Sequence, residues 1–139
     1  MNLRIYPDPI LHEKSLPVED NEEVTEIING MKHIMDLYQG MGLAAPQVGV
    51  LKRVIIVNIK GRGIVVLINP IVISSSGKYS SEEGCLSVPT RRVYKTRYKF
   101  IKVQGRGFNR QLVTIKERGI NAACIQHEID HLNGKLIID

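Results

Sequence analysis

The stretch Gln126-His127-Glu128-Ile129-Asp130-His131 decides how the rest of the chain is read. On an α-helix, His127 and His131 stand four positions apart and point the same way. Two imidazoles one turn apart can hold a single metal ion. Glu128 lies beside them, placed to handle the proton of a metal-bound water. Two ligands do not complete such a site. A third must come from elsewhere and leave one coordination position open for chemistry. Cys85, in Glu83-Gly84-Cys85-Leu86-Ser87, is the best candidate.

The plainer alternative is two hydrogen-bonded histidines on an ordinary helix. Two features weigh against it. The pattern lies on a helix expected from about Gly119 to about Leu132, with Gly134 as its stop. Ile120, Ala123, Cys124, His127 and His131 share one face of it, and Ala122, Ile125, Ile129 and Leu132 form a second apolar face. A helix apolar on two sides is buried, here expected between sheets, and makes a rigid mount for a metal. The cysteine, in turn, sits in a loop where a thiolate can reach a metal. Cys124, His12 and His33 remain as further ligand candidates. Cys124 faces the His127 side and is read either as a fourth ligand or, by preference, as a small apolar wall. Asp130 is turned away from the ligand face, and an ion pair with Arg97 or Arg92 is expected for it.

Upstream, residues 1–19 read as extended, because Pro7, Pro9 and Pro17 remove donors and disfavour helix before them. Leu3, Ile5, Ile10 and Leu11 are expected to anchor this segment. An amphipathic helix is expected from about Asn21 to about Tyr38, on the stripe Val24, Ile27, Ile28, Met31, Ile34, Met35 and Tyr38. Asp20 with Glu23 suggests a capping box, and Gly40 the stop. The small residues of Gly40-Met41-Gly42-Leu43-Ala44-Ala45-Pro46-Gln47 read as a tight helix-to-strand connection or as backbone passing close to a substrate. Strands are expected over Arg53–Ile59, Gly63–Asn69 and Ile71–Ser74, with Ser75, Ser76 and Gly77 as loop. Glu83–Pro89 reads as a strand end and turn. Tyr94–Val103 and Arg110–Lys116 read as a hairpin. The architecture expected is α+β: antiparallel or mixed sheets packed around a central C-terminal metal-binding helix, plus one N-terminal amphipathic helix.

At 139 residues, 43% of them hydrophobic and 24% charged, the chain fits one globular domain spanning residues 1–139. Its apolar runs are far shorter than the roughly 20 residues a membrane helix needs, so no membrane association is expected. The N-terminus lacks the apolar run of a signal peptide, which points to the cytoplasm. There, Cys85 and Cys124 serve as thiols rather than as a disulfide. The net charge is +5. Much of the excess lies between Arg91 and Arg110, read as a solvated strand face or as a patch meeting RNA or the ribosome.

Three segments taken together resemble peptide deformylases: Gly40 to Gln47, Glu83 to Ser87, and Gln126 to Gly134. Their order and separations agree with that family, as do Tyr6 to Leu11 and Leu67 to Pro70. The resemblance implies removal of the N-formyl group from the initiator N-formylmethionine of nascent polypeptides, by a metal-bound hydroxide with Glu128 as general acid and base. It implies Cys85, His127 and His131 as ligands of one divalent ion. Fe(II) is the expected native metal, with Zn(II), Ni(II) or Co(II) as substitutes. It also implies the Gln47 amide and the Leu86 N–H as oxyanion donors, and the Gly42 backbone as the partner of the substrate main chain. Gly40, Met41, Glu83, Gly84, Ile120 and Cys124 are expected around the substrate, several of them at the methionine pocket. Two departures stand out. Gln104 to Asn109 lacks an acidic residue common in the family. The sequence also stops five residues after Gly134, which implies a short form without the C-terminal extension and ribosome contact without a docking tail; a monomer is expected. Two other readings compete: a different small metallohydrolase, and a metal-stabilised RNA- or ribosome-binding module with a closed four-ligand site.

Overall fold

The computed structural model describes residues 1–139. Helix α1 spans Thr25–Leu37 and buries Ile28, Met31, Ile34 and Met35, the helical stripe read in the sequence. It starts later than the expected Asn21, and no capping box forms. The Glu22 carboxylate instead turns back to accept from the Glu19 N–H and is held by Lys52, which commits these residues to a turn. Glu23 accepts from the Thr25 N–H. Tyr38 and Ile5 are exposed rather than anchoring, whereas Leu11 is fully buried. The N-terminal segment also contains a 3-10 turn over Pro9–His12, capped by Asp8. At the other end of α1, Gln39 rather than Gly40 takes the left-handed conformation, with φ 55°. Gly40 is needed for closeness instead, because a Cβ there would lie 2.9 Å from Leu86 Cδ1.

Seven strands follow: β1 Gly42–Ala44, β2 Val54–Ile59, β3 Gly63–Ser76, β4 Tyr79–Cys85, β5 Val88–Arg97, β6 Phe100–Arg106 and β7 Leu112–Arg118. A five-stranded antiparallel sheet runs β1-β2-β3-β6-β7, and β4 with β5 forms a separate two-stranded sheet. Two boundaries differ from expectation. Strand β3 continues past Pro70 to Ser76, taking in the expected loop residues Ser75 and Ser76, because a register shift between Ile68 and Ile71 absorbs the proline. Beside it Asn69, at φ 53°, grips Val18 through both its N–H and its carbonyl. The expected strand Tyr94–Val103 is broken at Tyr98-Lys99, where the chain leaves one sheet for the other. Gln126 holds that crossing, accepting from the Tyr98 N–H and donating to the Tyr98 carbonyl at 2.9 Å each.

Helix α2, Gly119–Leu132, matches the expected bounds, and Gly134 beyond it has φ 74°. It packs against both sheets. Its inner face joins Ile55, Leu67, Ile101, Val103 and Ile115 on one side of the large sheet, while α1 covers the other side over β1 and β2. Ile125 and Leu132 are fully buried. Each contributes roughly 1.5–3 kcal/mol, which fixes the helix that carries the histidines.

Candidate metal centre and active site

His127, Glu128 and His131 lie on the buried side of α2, at 8%, 3% and 1% exposure. The two imidazole centroids are 5.1 Å apart. Cys85 reaches them from the end of β4, where the β4–β5 register slips between Gly84 and Cys85 and Leu86-Ser87 make the turn. Its Sγ lies 3.4 Å from His131 Nε2. One ligand atom each from Cys85, His127 and His131 falls within 4.8 Å of the others. His127 Nδ1 is 3.1 Å from Glu83 Oε1, which leaves Nε2 for the centre.

Glu83 also receives two hydrogen bonds from Arg97, at 2.9 and 2.6 Å, and Arg97 donates a third, at 2.6 Å, to Asp130. The expected ion pair of Asp130 therefore forms with Arg97, not Arg92. Burial disfavours charge on Glu83, but the bonds from Arg97 and His127 outweigh it and hold its carboxyl at about 2.

The electrostatics suit a bound cation. Burial alone would keep His127 neutral, yet Cys85, Glu128 and Glu83 together raise it to about 10. Negative charge therefore gathers beside His127. His131, buried and close to His127, is held well below its ordinary value, in the neutral form that offers a lone pair. Burial pushes Glu128 up to about 7, and its Oε1 is buried without a hydrogen-bond partner. A thiol and two imidazoles, with an unpartnered carboxylate oxygen beside them, fit one divalent ion with room for further ligands. Cys124 lies outside the cluster. Burial, followed by the charges of Glu128 and Glu83, pushes its thiol up, so it stays protonated as an uncharged wall.

The centre opens into a cavity of about 600 Å³. The site residues that the resemblance implies all line this cavity except His131, which is fully buried, whereas His12 and His33, the other ligand candidates, lie outside both the cavity and the cluster. Gln47 is fixed at both ends: its Oε1 accepts from the Ala44 N–H at 3.0 Å, and its Nε2 donates to Ser87 Oγ at 3.1 Å and lies 3.6 Å from Cys85 Sγ. Gly42 sits against α2, where a Cβ would be 2.7 Å from Glu128 Oε2. Three features were missed in the sequence. Glu83, expected to lend its aliphatic part to the methionine pocket, does line the cavity, but the bonds of its carboxylate to Arg97 and His127 were not foreseen. The strand period contains that signal, since Ser81 and Glu83 share the face of Cys85. Ser87 as the partner of Gln47, and Arg91 at the cavity wall, depend on how β4 and β5 meet and leave no local signal.

Residues 1–139 match the family model described as polypeptide deformylase. A peptide deformylase of Halothermothrix orenii is 43% identical over 141 residues, covering 100% of this chain and 92% of that protein. One from Buchnera aphidicola is 44% identical over 138 residues, covering 96% and 82%. Among solved structures, the PDF of a Vibrio parahaemolyticus bacteriophage, in complex with actinonin, superposes with a TM-score of 0.95 at 39% identity, covering 99% of this chain and all of that one. The peptide deformylase of Thermotoga maritima gives 0.93 at 39%, covering 99% and 95%.

Proposed function

The chain belongs to the polypeptide deformylase family, and from that premise we propose which of its residues remove the N-formyl group of N-formylmethionine peptides, and how. The observation that carries the reading is the convergence of Cys85, His127 and His131 within 4.8 Å, on the wall that also holds the Glu128 carboxylate. Cys85 Sγ and the two imidazoles would hold the divalent ion. When bound, it supplies Lewis acidity, which acidifies a water and polarises the formyl carbonyl.

The remaining chemistry belongs to side chains and backbone. Glu128 takes a proton from the attacking water as its oxygen bonds to the formyl carbon. It returns that proton to the amine nitrogen as the C–N bond breaks, giving formate and a free N-terminus. Burial favours the protonated form of Glu128, which suits a group that holds the proton between the two transfers. Gln47 Nε2 and the Leu86 N–H donate to the oxyanion. The anchoring of Gln47 to Ala44 and Ser87 sets its amide in place before substrate arrives.

Substrate alignment falls to β1, an edge strand. The Asn58 N–H donates to the Met41 carbonyl, so alternation turns the Gly42 N–H and C=O away from β2, to the open side. The next outward donor, the Ala44 N–H, is already taken by Gln47. One rung is therefore free to pair with a substrate main chain. Met41, Ile120 and Cys124 supply apolar wall for the methionine side chain, with Gly40 and Gly84 leaving room beside it.

Fe(II) is the proposed native ion, with Zn(II), Ni(II) and Co(II) as substitutes the same donors accept. No helix is long and apolar enough to cross a membrane. We place the enzyme in the cytoplasm, as a monomer meeting nascent chains at the ribosome. The test is turnover of a formyl-Met peptide before chelation, after chelation and after Fe(II) add-back, with metal content measured on the same samples. Loss and recovery in step with metal is expected. Full turnover by metal-free protein would end this reading.

A further inference from the structure

The outer face of β3, β6 and β7 is built for a polyanion. Strand register sets Ser74, Lys102 and Lys116 in one row across these three strands, and Ser76, Phe100 and Arg118 in the next row on the same face. The alternate residues Ile101, Val103 and Ile115 point into the core beneath α2. Helix α1 packs over β1 and β2 and leaves this end of the sheet uncovered.

Two lysines directly opposite on neighbouring strands repel each other, at a cost of a few tenths of a kcal/mol. No carboxylate offsets that cost, because Lys102, Lys116 and Arg118 enter no salt bridge. The one carboxylate lining the shallow cavity here, Glu117, is already held by Arg62 and Asn121 at 3.0 Å each. Phe100 is 42% exposed, with the Arg118 guanidinium 5.3 Å and the Lys99 ammonium 5.5 Å from its ring centroid.

We infer that this face binds single-stranded RNA. Phosphates would lie on Lys102 and Lys116, with bases against the Phe100 ring and the Arg118 guanidinium plane. Unpaired cations beside an exposed aromatic ring are what a flexible nucleic acid strand uses: charge for the backbone and a flat surface for the bases. An acidic peptide would leave the ring unused. Ile71 and Leu112 are also exposed on this face, so anionic vesicles are one arm of the test. The inference is independent of the catalytic reading, because none of these residues lines the active-site cavity.

The test measures binding of fluorescein-labelled oligouridylate to the metal-loaded full chain across a salt series. Lys102→Glu combined with Lys116→Glu should weaken binding roughly tenfold or more, and lower the slope of log affinity on log salt by about 1.4, twice the ~0.7 per phosphate of a single strand. Phe100→Ala should weaken it by roughly fivefold or more. Lys14→Glu with Lys135→Glu makes the same change in net charge on exposed residues off this face, and should leave binding within about twofold. Turnover of a formyl-Met peptide should be unchanged in every variant. If the reversed pair does not fold, Lys102→Gln with Lys116→Gln replaces it. Equal weakening by the Lys14/Lys135 control, no effect of the Lys102/Lys116 pair, tighter binding of duplex RNA, polyglutamate or anionic vesicles, or no RNA binding at all would overturn the inference.

Discussion

Glu83 stands between Arg97 and His127, its Oε1 3.1 Å from His127 Nδ1 and 2.6 Å from Arg97 Nη2. The carboxylate fixes which imidazole nitrogen faces the metal centre, and the guanidinium fixes the carboxylate. Glu83→Gln should therefore lower metal affinity by roughly 10- to 100-fold while all three ligands remain. Competition with a calibrated chelator measures it, and unchanged affinity would show that His127 needs no such support.

Arg97→Met tests the same network from the other side. It strands Glu83 and Asp130, and Glu83 is buried. A loss of about 3–5 kcal/mol is expected in denaturant unfolding, because an unpaired buried charge costs more than the pair contributes. A loss within 1 kcal/mol would mean that water replaces the guanidinium.

Glu128→Gln separates charge from shape. The amide keeps the volume but cannot accept a proton, so turnover should fall by a factor on the order of 10²–10⁴ at unchanged metal content. Near-equal rates at equal metal would remove Glu128 as the proton carrier. Cys85→Ala, by contrast, should lose the metal itself, since two imidazoles alone form a poor site. Stoichiometric metal after that change would take Cys85 off the ligand set.

Gly42→Ala places a methyl 2.7 Å from Glu128 Oε2. The carboxylate must move, so kcat should fall by roughly tenfold or more, because a misplaced catalytic group loses rate steeply. The melting temperature should change little. Wild-type kcat in this variant would show that β1 has room to retreat.

Asp139 gives a local pH dependence. Slight burial would raise its carboxyl, but the Leu136 N–H and His12 hold it below its ordinary 3.8. A depressed carboxylate stabilises the fold above the ordinary value, and that contribution is lost as pH falls through and below it. The Leu136 amide should therefore lose protection in hydrogen exchange as pH drops toward 3, after correction for intrinsic rates. In Asp139→Asn this pH dependence should vanish, and its persistence would assign the effect elsewhere.

What could be read from the sequence followed how local the cause was. Helix α2 carries its whole signal within one segment, since period, histidine spacing and terminal glycine agree on it. The late start of α1 was not readable, because Glu22 is drawn off by Lys52, thirty positions along the chain. Strand β3 defeated the usual meaning of proline because a bulge absorbs it. The break at Tyr98-Lys99 interrupts a continuous strand-like composition, and only Gln126 on a distant helix marks it. At the site, ligand types and spacing were visible, whereas the turning of Glu83 toward Arg97 needed two strands to be placed side by side.

The single outward rung at Gly42 has a consequence for colloidal behaviour. An exposed strand edge is a template on which other chains, including copies of the same protein, can add and grow into aggregates. An enzyme that receives extended peptides cannot bury that edge. Here it is rationed instead. Strand β1 is three residues long, and the Ala44 N–H beyond Gly42 is occupied from within by Gln47. One residue's worth of pairing can orient a peptide that other contacts hold, but it is too short to nucleate a sheet between molecules. The same glutamine proposed to donate to the oxyanion thus also stops pairing from extending along this edge.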